Sequence, residues 1–188
     1  MSNILAFAGS TRKGSLNKRL LEAAVHRVRV AGGTVNVVDL LDYPMPLYNG
    51  DLEEADGIPE PALRLKRLMI EHDGLLLACP EYNSSITPLL KNTIDWVSRR
   101  QGDEPPLAAY RGKVAALVSA SPGGLGGMRG LVTVRSILSS IGVLVLPTQV
   151  TASSASAAFN EEGNVTDEGL SKRLDALAEE LVKWSEKA

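Results

Sequence analysis

Nine consecutive positions, Gly9-Ser10-Thr11-Arg12-Lys13-Gly14-Ser15-Leu16-Asn17, gather three hydroxyls, two cations and two glycines between a short apolar run and an amphipathic segment. That mixture suits an anion. If Ser15 caps a helix, the first backbone N–H groups of that helix are unpaired and its dipole favours negative charge. Ser10, Thr11 and Ser15 add hydroxyl donors, and Arg12 adds a planar fork matched to phosphate oxygens. The spacing is not Gly-x-x-x-x-Gly-Lys-Ser/Thr, nor is it Gly-x-Gly-x-x-Gly, so neither a triphosphate loop nor the ordinary dinucleotide fingerprint is present. The stretch therefore looks built for one phosphate monoester. Taken alone, it serves equally well as a solvated strand-to-helix turn with a serine cap.

Two further stretches carry unusual chemistry. Cys79-Pro80-Glu81-Tyr82-Asn83-Ser84-Ser85 offers backbone N–H groups, a phenol ring and an amide to a flat heteroaromatic ligand, with Pro80 stiffening the entry. Ser119-Ala120-Ser121-Pro122-Gly123-Gly124-Leu125-Gly126-Gly127 is almost free of side-chain bulk, so its backbone could approach a ligand closely.

The elements that must position these stretches follow from periodicity. Ile4 to Ala8 reads as a strand buried on both faces, and Leu16, Leu20, Leu21, Ala24, Val25 and Val28 repeat at helical spacing up to the Gly32-Gly33 stop. Thr34 to Leu40, Gly74 to Cys79, Lys113 to Ser119 and Val143 to Leu146 read as four more strands. Helices are expected over Glu60 to His72, Leu89 to Arg99, Gly127 to Ile141 and Asp167 to Lys187. Asp42 to Pro59 reads as a long Pro/Gly/acid loop walling the ligand. Five strands alternating with helices predict an α/β fold: a three-layer, doubly wound parallel five-stranded sheet over a single domain, residues 1–188. The three polar stretches all fall at strand carboxyl ends, where such folds bind ligands, and should converge on one pocket.

The Leu89–Arg99 segment has two apolar stripes. Leu90, Ile94 and Val97 form one; Leu89, Thr93 and Trp96 form the other, which serves either a partner subunit or a wide core-facing stripe.

Composition excludes several classes. A net charge of −2 with both signs interspersed argues against nucleic acid. No apolar run reaches membrane-span length, so no membrane is expected. The single cysteine, Cys79, excludes an internal disulfide and points to a cytoplasmic protein. It reads as buried packing rather than a reactive thiol. Two dispersed histidines, His26 and His72, leave no metal site in view.

With the three stretches assembled, the chain resembles the NAD(P)H-dependent FMN reductase family, which has a flavodoxin-like fold. Gly9, Ser10, Arg12, Ser15 and Asn17 match the family pattern Gly-Ser-x-Arg-x-x-Ser-x-Asn. Pro80, Glu81, Tyr82, Asn83, Ser85, Pro88, Lys91, Asn92, Asp95 and Trp96 match a second pattern, and the glycine-rich Pro122 to Gly127 fits the third loop. The resemblance implies an FMN site. Ser10, Arg12, Ser15, Leu16 and Asn17 would hold the phosphate end; Pro80, Glu81, Tyr82 and Asn83 would line the isoalloxazine; Ser119, Ser121, Gly123 and Gly124 would lie near its pyrimidine edge. It also implies NADPH or NADH as hydride donor, a small electron acceptor such as a quinone, azo compound, metal oxyanion or free flavin, and a homodimer or homotetramer built on the Leu89–Arg100 helix. The flavin supplies the chemistry, so no catalytic acid, base or nucleophile is assigned.

A flavodoxin-type electron carrier is the alternative. Carriers of that type cover the ring with aromatics and are strongly acidic, whereas here the third loop has no aromatic and the net charge is small. Arg99, Arg100, Arg111 and Arg129 are candidates for a nicotinamide 2′-phosphate contact, or simply solubilising surface residues.

Overall fold

The structure, a computed structural model, describes residues 2–160 and 162–187; residues 1, 161 and 188 of the expected domain lie outside it. Five parallel strands form the central sheet in the order β2-β1-β3-β6-β7: β1 (Asn3–Ala8), β2 (Thr34–Val37), β3 (Gly74–Ala78), β6 (Val114–Ala120) and β7 (Leu144–Ala152). The expected three-layer architecture is present. β1, β3 and β6 are apolar on both faces because helices cover both. On one face, α1 (Leu16–Val30) and α6 (Glu168–Ser185) bury Leu20, Ala24, Val28, Leu174 and Leu181 against Ile4, Leu76 and Val118. On the other, α3 (Glu60–Glu71), α4 (Pro88–Val97) and α5 (Met128–Ser140) bury Leu65, Leu90, Ile94, Leu131 and Val134 against Leu5, Leu77 and Leu117. The chain leaves β1 toward β2, then returns past β1 to β3. The connections on either side of β1 and β3 diverge there and open a crevice at their carboxyl ends.

Four local departures from the sequence reading have clear causes. β2 stops at Val37 rather than Leu40, because Asp39 caps a single 3-10 turn (Leu40–Asp42) with its carboxylate on the Leu41 N–H at 3.0 Å. The Asp42–Pro59 stretch is not wholly loop: Asn49 caps a short helix, α2 (Gly50–Asp56). A small hairpin, β4 (Glu81–Tyr82) with β5 (Ser85–Ile86), follows β3; its two turn residues, Asn83 and Ser84, both have positive φ, as a two-residue turn of the primed kind requires. Last, β7 runs past Leu146 to Ala152, although Pro147 looks like a terminator. A register shift lies opposite Ala115–Leu117, and the Arg135 guanidinium bonds the carbonyls of Val145, Leu146 and Pro147 there. Proline is tolerated because β7 is an edge strand.

The second stripe of α4 is taken up within the chain. Trp96 is fully buried and Thr93 nearly so, leaving only Leu89 partly open. Residues 42–59 form a strap across them. The Trp96 indole N–H donates to the Pro46 carbonyl at 2.7 Å, and Asn92 both donates to that carbonyl and accepts from the Tyr48 N–H. Tyr48 meets Trp96 edge-on at 5.0 Å, and its hydroxyl donates to Glu53, which also pairs with Arg99. Trp96 is therefore core, not a face awaiting a partner subunit.

Candidate functional site

The crevice holds a cleft of about 360 Å³ lined by residues from four connections. Ser10, Arg12, Gly14, Ser15, Leu16 and Asn17 come from the β1–α1 turn, and Pro80, Glu81 and Tyr82 from the exit of β3. Ala120, Ser121 and Pro122 follow β6, and Ser156 follows β7. The three chemistry-bearing stretches thus meet as expected. Of the thirteen expected site residues, Asn83, Ser119, Gly123 and Gly124 are not among the lining residues, while Gly14, Ala120, Pro122 and Ser156 are. Ser156 belongs to no motif; its segment is brought in by backbone bonds from Ser154 to Gly123 and from Ala155 to Ser121. The run Ser153-Ser154-Ala155-Ser156 is the one hint of it in the sequence.

At one end lies the start of α1. Ser15 caps it, accepting from the Lys18 N–H at 3.4 Å, and the N–H groups of Leu16 and Asn17 have no carbonyl a turn earlier in the helix. The Arg12 guanidinium has no hydrogen bond or ion pair among the described residues. Ser10 is buried beside it, its oxygen accepting from the Arg12 N–H. Among the described residues Glu81 is the only acidic one lining the cleft, and its carboxylate is engaged at α5 with the Gly130 N–H at 2.9 Å and Arg129 at 3.5 Å. The charge is complementary to a phosphate.

Several residues of the motifs brace the cleft through the backbone. The Asn17 amide grips Ala120 at both polar atoms, 2.8 Å to the carbonyl and 3.0 Å from the N–H, and so ties the first turn to the third. Ser119 is fully buried and donates to the Cys79 carbonyl at 2.7 Å, tying the third turn to the second. The Ser119 hydroxyl is thus spent on the fold, and Ala120 and Ser121 are the neighbours that line the cleft. Thr87 caps α4 and donates to the Gly9 carbonyl at 3.0 Å. Gly9 itself lies so close to α4 that a Cβ would sit 3.0 Å from the Leu90 Cβ. Cys79 lies beneath the cleft floor, fully buried, and burial pushes its thiol pKa well above the ordinary range, so it is packing and not a nucleophile.

Of the four arginines considered for a nicotinamide phosphate, Arg129 alone is joined to a cleft-lining residue, through Glu81. Arg99 pairs with Glu53 and stacks on Tyr48, Arg100 donates to the Glu104 carbonyl, and Arg111 packs beside Gly142.

The family profile described as NADPH-dependent FMN reductase matches residues 2–157, which include every residue of the cleft. The chain belongs to that family. It is a flavin-dependent oxidoreductase whose cofactor is FMN and whose hydride donor is a reduced nicotinamide. It is 35% identical over 182 residues to an NAD(P)H-dependent FMN reductase of Pseudomonas aeruginosa, covering 96% of this chain and 94% of that one. It is 35% identical to an NAD(P)H:quinone oxidoreductase of Solanum tuberosum, covering 93% and 88%. Among solved structures, a flavoenzyme NAD(P)H:(acceptor) oxidoreductase of Paracoccus denitrificans superposes with a TM-score of 0.83 at 30% identity, over 100% of this chain and 98% of that one. Nothing in these likenesses favours a flavodoxin-type carrier. Among the described residues, no helix is long and apolar enough to cross a membrane and no cluster of metal-ligating side chains occurs.

Proposed function

We propose that the cleft holds FMN with its phosphate against the start of α1, and that the reduced enzyme passes electrons to a small quinone-type acceptor at the same place. The observation that carries the reading is the junction of the Arg12 guanidinium, which has no partner among the described residues, with the open N-terminus of α1. Ser10, Arg12, Ser15 and the Leu16 and Asn17 N–H groups form the phosphate end. Pro80, Tyr82 and the backbone from Glu81 to Asn83 form a wall for the ring system. Ser121 lines the cleft on the side assigned to its polar edge, with Gly123 and Gly124 following just outside the lining, and Ser156 lines it from the turn after β7. When bound, FMN supplies two-electron chemistry that alternates between a nicotinamide and an acceptor. The chain's residues bind, orient and shield. No proton transfer is assigned to Glu81, the carboxylate that lines the cleft among the described residues, because it is committed to α5.

Tyr82 is half exposed, and the third loop contributes only the small side chains of Ala120, Ser121 and Pro122 to the lining, which leaves room for successive substrates. Quinones fit as acceptors because flat apolar rings can stack where a nicotinamide stacks. The 35% identity to a quinone oxidoreductase over most of both chains supports this choice. Assembly as a homodimer or homotetramer is part of the proposal. With Trp96 buried, the surface that favours it is the strap beside α4 and the 3-10 turn before it, where Leu47 and Leu41 are 79% and 60% exposed. The deciding experiment is anaerobic titration of FMN-loaded protein with NADPH or NADH, followed by a soluble quinone. Loss and return of the flavin absorbance, with ping-pong kinetics over a panel of acceptors, is the expected result. Flavin that stays oxidised with both nicotinamides would overturn the reading.

A further inference from the structure

We infer that Glu81 is a positioning residue: its carboxylate caps helix α5 beside the cleft and thereby fixes the β4–β5 hairpin, which lines the cleft through Glu81 and Tyr82, against the segment that leads into α5. The inference rests on the FMN placement proposed above and assigns a role to a side chain that otherwise reads as a ring contact.

α5 cannot cap itself. Its N-cap is Gly127, in left-handed conformation at φ 87°, without a side-chain hydrogen bond, and its first turn contains no acid. A capping side chain cannot be added at Gly127, because a Cβ there would overlap the buried Ser119 hydroxyl. The helix therefore starts with orphan donors next to the cleft. Glu81 satisfies one of them from a different part of the chain: the Gly130 N–H donates to its Oε2 at 2.9 Å, while Arg129 Nε approaches Oε1 at 3.5 Å. The side chain is 13% exposed, and both carboxylate oxygens are turned to α5.

The packing around this bond is close. A Cβ on Gly130 would lie 3.2 Å from both the Glu81 Cβ and the Ser85 carbonyl oxygen, so the β4–β5 hairpin lies directly on the first turn of α5. The hairpin lines the cleft through Glu81 and Tyr82, and the segment leading into α5 lines it through Ala120, Ser121 and Pro122. The two are tied twice: at the floor by Ser119 on the Cys79 carbonyl, and at the rim by Glu81 on Gly130. The floor tie is fully buried, whereas the rim tie is the one next to which a ring would enter. What the rim tie requires is an acceptor oxygen at the reach of a Glu or Gln side chain; its negative charge is secondary.

Reach and charge make opposite predictions, which gives the test. Glu81→Gln keeps the reach and an acceptor oxygen; Glu81→Asp keeps the charge and loses a methylene. FMN dissociation constants are measured by flavin fluorescence quenching for the native protein, both variants and Glu81→Ala. Amide hydrogen exchange is followed at the start of α5 in the ligand-free proteins. Gln should bind FMN within about threefold of native and keep the Gly130 amide protected. Asp and Ala should bind roughly five- to tenfold more weakly, the loss expected for one helix cap, and expose that amide. Riboflavin should lose affinity in parallel with FMN, since the phosphate end is untouched. Asp matching native while Gln falls to the level of Ala would overturn the capping role in favour of charge. All variants binding like native would overturn it outright. A native protein that binds no FMN would instead overturn the placement on which the inference stands. If Ala does not fold, the contrast between Gln and Asp decides alone.

Discussion

Replacing Arg12 by alanine tests the phosphate end most directly. Arg12 lines the cleft and its guanidinium has no carboxylate partner among the described residues, so the variant leaves no buried charge unpaired and the loss reports on ligand alone. A hydrogen bond to a charged group contributes about 1.5–3 kcal/mol, which corresponds to roughly ten- to hundredfold in affinity. Arg12 is exposed at an open cleft, so solvent and salt screen part of that, and the lower half of the range, about ten- to thirtyfold, is expected. Isothermal titration with FMN and with riboflavin separates the phosphate contribution from the rest. Arg12→Ala should weaken FMN by that factor and leave riboflavin within about twofold, because riboflavin lacks the phosphate. Arg12→Lys should fall between, keeping the charge without the two-pronged geometry. Raising salt should weaken FMN binding to the native protein more than to Arg12→Ala. Equal losses for the two ligands, or native affinity for riboflavin equal to that for FMN, would show that the α1 end does not hold the phosphate.

Other outcomes follow from particular contacts. Cys79 should resist a thiol reagent in the native protein and react only as the chain unfolds in denaturant, because burial both hides it and raises its pKa; fast labelling without unfolding would refute that assignment. Leu47→Glu should shift light-scattering mass toward monomer while circular dichroism shows the fold retained, since Leu47 is 79% exposed within the chain; an unchanged mass would refute the strap as an interface. Asn92→Ala removes two bonds to the strap and leaves the Tyr48 N–H without its acceptor, so it should destabilise by roughly 1–3 kcal/mol and lower the melting temperature measured by calorimetry. Asp39 is stabilised as its anion: burial works against it, but the Lys18 ammonium and the Leu41 N–H outweigh burial and lower its pKa. That stabilisation is present above the ordinary carboxylate pKa and disappears as pH falls through the lowered one, so Asp39→Asn should flatten the most acidic part of a denaturation curve.

The architecture was legible because it is written in period and punctuation. Unbroken apolar runs at Ile4–Ala8 and Gly74–Cys79 can only be strands buried on both sides, and Gly32-Gly33 and Gly142 stop helices where they should. Where the reading failed, a distant group had overridden a local signal. Pro147 marks a strand end in isolation, yet Arg135 supplies a guanidinium to the carbonyls at the irregularity and pairing with β6 resumes beyond it. Trp96 lies on a stripe that periodicity leaves unassigned, and what covers it is a strap some fifty residues earlier whose apolar and proline residues have no repeat. No local pattern encodes that pairing.

The site divides along the same line. Its location was legible, since strand carboxyl ends and polar turns are both sequence features, and the family patterns marked individual positions. The roles within it were less so, because a motif records that a residue type is required and not which neighbour requires it. Asn17, Ser119 and Thr87 satisfy the backbone of adjacent turns, and each would read equally well as a ligand contact from sequence alone. The physical reason is that a cleft at the ends of parallel strands is surrounded by turns with unpaired carbonyls and N–H groups. Short polar side chains nearby are drawn to those groups first. Among the described residues, the Arg12 guanidinium and the first N–H groups of α1 remain uncommitted after that accounting, and they are the groups on which the proposed phosphate end rests.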